Sequence, residues 1–342
     1  MKVSIIVPAF NEADSLERNL SEIESYMNDY AGNSTWELVV VNDGSKDSTL
    51  TILNRLVQVK SWLKVVDLVF NYGRGKALRE GFERASGDRI VTLDADLSYA
   101  PCHIERMLSK LEEENADIVI ASAYGKNGTV QNVPWKRLWL SRIGNQVLSY
   151  MFGGGITVLT CVVRAYKSEF IKQLDLHSDD KEIHLEILAK AKTLGVKIAE
   201  VPADLRWREE KRLKAGAKGR SMRRSTLRTR KTSSSHLFFA LLNKPGMIFW
   251  IPGFLLFGIS AVILLIILST ILSDPMISIS VYHTFRNSMI SASISWLVMA
   301  FSFLLGVQFF TLGFMTNQSK AHQEETYRTL HAIYKALKDK RD

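Results

Sequence analysis

From Met247 to Leu272, and again from Met289 to Met315, the chain carries no charged residue. At about 1.5 Å of rise per residue, each stretch would form a helix roughly 40 Å long, more than the roughly 30 Å hydrocarbon core of a bilayer. A buried helix in a soluble protein rarely needs so many uncharged residues, so both stretches are expected to span a membrane. Charge sets the direction of the hairpin. Arg206 to Lys231 holds twelve Lys or Arg against two Glu, and the tail after Met315 is also basic, whereas the connector Ser273 to Ser288 has one Arg and one Asp. Basic loops stay on the cytosolic side, so the large head and both termini are expected there, with the basic run held against anionic lipid. Met1 to Phe10 is too short for a secretory signal and breaks at once into Asn11-Glu12. With only Cys102 and Cys161 in a cytosolic head, two reduced thiols are expected.

The head alternates strand and helix signals. Val3 to Pro8 is a short apolar run, and Leu16, Leu20, Ile23 and Met27 follow at helical spacing. Leu38 to Val41, Lys64 to Phe70, Arg89 to Leu93, Ile118 to Ser122, Leu159 to Tyr166 and Lys197 to Val201 read as further strands. Helices are expected through Leu50 to Val57, Ala77 to Ala85, from Val133 to Leu148, and Glu182 to Leu194. This alternation predicts an α/β fold with a mostly parallel central sheet covered on both faces. The glycines at 73, 75 and 81 lie after the third strand and miss the Gly-x-Gly-x-x-Gly spacing of a dinucleotide fold. P-loop, His-Glu-x-x-His and paired-cysteine zinc patterns are missing from the sequence as well.

Asp94-Ala95-Asp96 closes the apolar run Arg89 to Leu93. Two carboxylates at the exit of a buried strand are hard oxygen ligands at the place where open α/β sheets bind theirs, and suit Mg²⁺ or Mn²⁺ against a diphosphate. A strand-end Asp also serves as a simple helix cap, so the neighbouring segments decide.

Those segments are Val7-Pro8-Ala9-Phe10-Asn11-Glu12, Val40-Val41-Asn42-Asp43-Gly44-Ser45, Asn71-Tyr72-Gly73-Arg74-Gly75-Lys76, Gly87-Asp88 and Asp94-Ala95-Asp96-Leu97. Together, and in this order over roughly the first 205 residues, they resemble the inverting glycosyltransferases of family two, which have the GT-A fold. The polyprenol-phosphate sugar synthases, of the dolichyl-phosphate mannose or glucose type, are the most similar group. The resemblance implies a donor nucleotide-sugar site at Pro8, Phe10, Glu12, Asn42, Asp43, Arg74, Lys76, Asp94, Ala95 and Asp96, with the metal at Asp96 and Asp94. The family usually has Asp where Asn42 stands, and its lipid-phosphate enzymes often have Gln where Ser98 stands. It implies an acceptor-phosphate site at Arg137, Ser141 and Arg164, to which Arg206, Arg208 and Arg220 are added from the basic run, and Asp96, Arg137 and Arg164 are the expected catalytic residues. The family's Ser-Arg pair is Ser122-Ala123 here, and only Arg164 survives from its Asp-x-x-Ser-Gly-Phe-Arg run.

The expected reaction is metal-dependent, inverting transfer of a hexose from a UDP-sugar or GDP-mannose to a polyprenyl (dolichyl-type) phosphate at the cytosolic membrane face. An acceptor phosphate needs little help from a base, since its second pKa is about 6. A hydroxyl lipid or growing glycan as acceptor would need one, for which Asp179, Asp180 or Glu182 are candidates. A processive synthase would carry Gln-x-x-Arg-Trp, where this chain has Leu205-Arg206-Trp207 without the Gln. A non-catalytic nucleotide-sugar-binding scaffold would have little use for both Asp94 and Asp96. The expected organisation is a catalytic head over 1–205, a basic loop over 206–245, two spans within 246–316 and a tail over 317–342. In that tail Tyr327, Leu330, Ile333, Tyr334 and Leu337 recur at helical spacing, a face for the membrane surface or for a second copy in a homo-oligomer; no nucleic-acid partner is expected.

Overall fold

The computed structural model describes residues 1–31, 35–207, 246–273 and 281–338. The chain divides into two compact units, Met1–Ala240 and Leu241–Asp342.

In the first unit β1 (Lys2–Ala9), β2 (Thr35–Asp43), β3 (Leu63–Leu68), β4 (Arg89–Thr92), β5 (Ile118–Ser122), β7 (Arg164–Lys167) and β8 (Ile198–Pro202) form one sheet in the order β3-β2-β1-β4-β7-β5-β8. Its central strands are the β-branched runs of the sequence, and Ile5, Ile6, Val7, Val39, Val40, Val41, Val91 and Val119 are fully buried. Apolar residues on both faces of a strand require cover on both sides. The cover is α1 (Leu16–Ala31), α2 (Thr49–Val57), α3 (Arg74–Arg84), α4 (His103–Glu113), α6 (Ser168–Gln173) and α7 (Ile183–Leu194). Leu16, Leu20, Ile23 and Met27 form the buried stripe of α1, as their spacing predicts.

All pairings in this sheet are parallel except those of β7, which runs antiparallel between β4 and β5. The exits of β1 to β5 and β8 and the entry to β7 therefore share one edge. The strand expected over Leu159 to Tyr166 begins only at Arg164. A ribbon that the sequence analysis does not anticipate, β6 (Thr129–Gln131) with β9 (Asp204–Arg206), lies beyond that edge, and Leu205 bridges to Tyr99. Helix α5 (Trp135–Met151) is poorly covered. Only Asn145, Leu148 and Met151 are buried, while Trp135 (72%), Trp139 (62%), Leu140 (53%) and Tyr150 (70%) stand exposed.

The second unit has helices Gly246–Leu272, Val281–Ser291 and Ser293–Lys338. The first and third are long and apolar enough to cross a membrane. Apolar side chains such as Leu255 (64% exposed) and Leu297 (69%) point outward, which distinguishes these helices from the core of a soluble protein. They pack antiparallel through small residues: Ser260 Oγ donates to the Met299 carbonyl at 3.2 Å, and a Cβ on Gly313 would sit 2.4 Å from Trp250. The expected boundaries differ in two places. Met289 belongs to the short helix, and the third helix runs unbroken past 317, where a separate tail was expected. Ala292 alone separates the short helix from the third, so hydropathy does not resolve that boundary.

Candidate active site

The shared sheet edge gathers the motifs, Gly87-Asp88 excepted, into one rim. Asn11, which has a positive φ of 55°, accepts from Lys46 N at 2.8 Å and donates its backbone N–H to Ser45 Oγ at 3.0 Å. Glu12 N donates to Thr49 Oγ1 at 3.0 Å, which joins the exit of β1 to that of β2. Pro8 and Phe10 are half-buried on this rim.

Asn42 and Asp43, at the exit of β2, are both buried and hydrogen-bonded to the neighbouring strand and loop. Asn42 is buried and donates through Nδ2 to Asp67 Oδ1 at 2.6 Å, across adjacent positions of β2 and β3. Asp43 is buried too, and accepts from Tyr72 N at 2.8 Å, Gly73 N at 3.0 Å and Asn71 Nδ2 at 2.9 Å. Burial raises its pKa, the two backbone N–H groups oppose that rise, and nearby Asp180 adds to it. Its carboxylate thus shapes the loop that enters α3. A Cβ on Gly44 would lie 2.4 Å from the Phe70 backbone carbonyl carbon, so no side chain fits where this loop passes the turn after β2.

Arg74 lies at the start of α3, and its Nη2 is 3.5 Å from Asp94 Oδ1. Lys76 turns instead along its own helix to Glu80, at 2.7 Å. Asp179 is paired with Arg79, and its carbonyl accepts from Lys76 N at 3.1 Å. Gly75 has room for this crossing only because it lacks a Cβ, which would lie 2.3 Å from the Ser178 carbonyl. Glu186 is buried and holds the same loop through His177 N at 2.9 Å, Ser178 N at 2.8 Å and Lys190 Nζ at 2.7 Å. Burial raises its pKa, but these donors outweigh it and keep the carboxyl below its ordinary range. Asp179 and Asp180 therefore lie on the α3 side of the rim, with Asp179 committed to an ion pair.

The turn after β4 carries the remaining residues expected at the donor site. Ala95 is buried, and its carbonyl accepts from Asn19 Nδ2 at 2.8 Å, so a buried amide on α1 fixes the turn. Leu97 has a positive φ of 47°. Asp96 Oδ1 accepts from Ser98 N at 2.9 Å and Ser98 Oγ at 2.6 Å. Ser98 also lines a cavity of about 280 Å³ with Tyr124, Val133, Arg137, Ser141, Leu205 and Trp207. In it Tyr124 donates to Ser141 Oγ at 2.9 Å, and the Arg137 guanidinium stacks over the Trp207 ring at 4.4 Å. Tyr124 and Trp207 are not among the sequence-derived site candidates; Tyr124 follows β5 by two residues, and Trp207 stands out only within Leu205-Arg206-Trp207. Arg206 sits nearby through its backbone N–H, which donates to the Ser98 carbonyl at 2.8 Å, and its Nε reaches Gln131 at 3.2 Å.

Arg164 corrects the acceptor set. It is fully buried, and its guanidinium donates to the carbonyls of Cys161 at 2.9 Å, His184 at 3.2 Å and Leu159 at 2.5 Å. Buried guanidinium groups persist when their donors are satisfied, and here the acceptors are backbone. Gly87-Asp88 likewise lies at the opposite edge of the sheet, where Asp88 N donates to the Lys2 carbonyl at 2.8 Å. Arg208 and Arg220 are outside the described residues.

The residues of the β4 turn fit a divalent cation. Among the described residues no group of three acidic, His or Cys side chains forms a protein-only cage. Asp94 and Asp96 offer hard carboxylate oxygens, and Mg²⁺ or Mn²⁺ typically takes one or two of these together with waters and substrate phosphates. Asp96 is the better placed, being oriented by Ser98, whereas Asp94 faces Arg74.

Residues 4–175 match the family model described as glycosyl transferase family 2. A polyprenol monophosphomannose synthase of Mycolicibacterium smegmatis is 30% identical over 60% of this chain and 77% of its own length. An undecaprenyl-phosphate 4-deoxy-4-formamido-L-arabinose transferase of an Enterobacter species is 32% identical over 61% of each, so this chain spans less than two thirds of that relative. Among solved structures, a mannosyltransferase from Pyrobaculum calidifontis in complex with GDP-Man and Mn²⁺ covers 98% of this chain and 86% of its own, at 18% identity and a TM-score of 0.46. A glucosyl-3-phosphoglycerate synthase from Mycobacterium tuberculosis in complex with Mn²⁺, UDP and phosphoglyceric acid covers 60% of this chain and 69% of its own, at 21% identity and a TM-score of 0.46. On the match to the family model and the identity to its curated members, the chain belongs to glycosyl transferase family 2 and is a glycosyltransferase of the GT-A fold.

Proposed function

We propose that this glycosyltransferase moves a hexose from a nucleoside diphosphate sugar to a polyprenyl phosphate, with inversion, at the cytosolic face of a membrane. One observation carries the reading: Ser98 both holds the Asp96 carboxylate and lines the cavity of Arg137, so a diphosphate end and a second anion end meet at one hydroxyl. Two relatives whose names specify a polyprenol or undecaprenyl phosphate support the acceptor class. Two helices fit to span a bilayer, and the basic residues from Arg206 to Lys231, support the membrane setting and its cytosolic face.

Asp96, with Asp94 beside it, would hold Mg²⁺ or Mn²⁺, and when bound the ion neutralises charge developing on the departing diphosphate. Arg74 adds a cation on the same side. Arg137 grips the acceptor phosphate in a fork, with Ser141 and Tyr124 as hydroxyl partners. A phosphate oxygen attacks the anomeric carbon on the face opposite the departing diphosphate; that carbon's bond to the donor phosphate oxygen breaks as the new one forms. The nucleophile is already ionised, so no side chain need take a proton. The experiment is transfer from labelled UDP-sugars and GDP-mannose to a short polyprenyl phosphate, with Mg²⁺ or Mn²⁺ and with chelator. Metal-dependent formation of an acid-labile glycolipid from one donor is expected. Donor hydrolysis without lipid transfer would reject the acceptor and leave the glycosyltransferase.

A further inference from the structure

The exits of β2 and β3 set a buried amide beside an exposed carboxylate. Asn42 and Asp67 occupy paired positions at the exits of β2 and β3, and Asn42 Nδ2 donates to Asp67 Oδ1 at 2.6 Å. With Asp at position 42, two carboxylate oxygens would meet at that spacing, and one would have to stay protonated. With Asn the pair carries a single negative charge, placed on Asp67. Asn42 is buried, whereas Asp67 is exposed because β3 is the edge strand. Just beyond it Val69 (78%), Phe70 (66%) and Tyr72 (51%) present apolar surface to solvent, and Phe70 and Tyr72 meet edge to face with centroids 6.3 Å apart. An exposed aromatic face a few residues from a carboxylate held by a hydrogen bond suits a planar ring with an N–H on its edge.

We propose that Asp67 reads the nucleobase of the donor: Asn42 fixes one carboxylate oxygen, and the other accepts a ring N–H, as uracil offers at N3 and guanine at N1. Adenine and cytosine present a bare acceptor nitrogen at the equivalent edge, which a carboxylate repels. The inference rests on the nucleotide-sugar reading above, and adds position 67 to the residues expected at the donor site.

The test is calorimetric binding of UDP, GDP, ADP and CDP, with Mn²⁺, to the full chain in detergent and to its Asp67→Asn, Asn42→Asp and Asn42→Asp/Asp67→Asn variants. The wild type is expected to prefer UDP or GDP. Asp67→Asn should weaken that diphosphate roughly 10- to 100-fold, while ADP and CDP change little, because a hydrogen bond to a charged group is lost. The double exchange, which returns the charge to the buried strand, should recover most of the preference. Equal losses for all four diphosphates would show that Asp67 merely braces Asn42, and unchanged affinity and preference in Asp67→Asn would remove it from the site; either overturns the assignment and leaves the donor reading intact. A wild type that binds none of the four would overturn both.

Discussion

Asp96 can be separated from its structural surroundings by a conservative change. Asn at this position can still accept from Ser98 N and Oγ, but it carries no charge for a cation. Asp96→Asn should therefore keep its thermal midpoint while losing transfer by about 100-fold or more, and Asp96→Ala should abolish transfer. Arg137→Ala should raise the KM for acceptor phosphate by roughly 10- to 100-fold with the donor KM unchanged, as steady-state kinetics with each substrate varied would reveal. Arg164→Ala should behave differently. It strands three buried carbonyls, so a stability loss of about 3 kcal/mol by chemical denaturation is expected, with an unaltered acceptor KM in the folded fraction. The sequence shows both arginines in equally suggestive company; what separates them is that Arg164 enters the sheet opposite Thr92, a pairing made across a sequence gap that no local pattern records.

At the scale of elements, the strands and helices of the head were readable because their apolar residues recur at period two or near 3.6. The β6–β9 ribbon was not, since its strands are three residues long and pair at a separation of 75. It depends on a contact that titrates. His103 is buried; Nδ1–H donates to the Ala100 carbonyl at 2.8 Å, and Nε2 accepts from Asp204 N at 2.9 Å, which ties α4 to β9. Burial lowers its pKa and the nearby Arg106 lowers it further, while Ala100 and Asp204 oppose the shift. A depressed folded pKa means that the unfolded chain takes up the proton first. The stability is thus fully present above about pH 6.5 and is lost as pH falls below it. Denaturant midpoints should drop between pH 7 and 5.5 in the wild type, and much less in His103→Gln, which keeps a donor and an acceptor without titrating. In the hairpin, Gly313→Val would drive a branched side chain into Trp250, and a loss of about 1–3 kcal/mol is expected in detergent unfolding.

For the whole molecule, the carboxylates of the proposed donor side were visible as a short motif because parallel strands deliver their exits to one edge, so residues far apart in sequence converge without any long-range signal being needed. The proposed acceptor side was less legible, because its cavity is assembled from α5, the ribbon and the residues after β5, which meet only in three dimensions. Helix α5 is buried chiefly at its C-terminal end, where Asn145 accepts from Leu159 N at 3.0 Å. Arg137 lies eight residues from that anchor, about 12 Å along the axis, so α5 is a lever with its fulcrum at one end: a tilt of about 10° displaces the guanidinium by about 2 Å. Hydrogen bonding to a phosphate tolerates less than that. If Arg137 holds the acceptor as proposed, mutations at the fulcrum, remote from every reacting atom, will therefore retune which acceptors are taken.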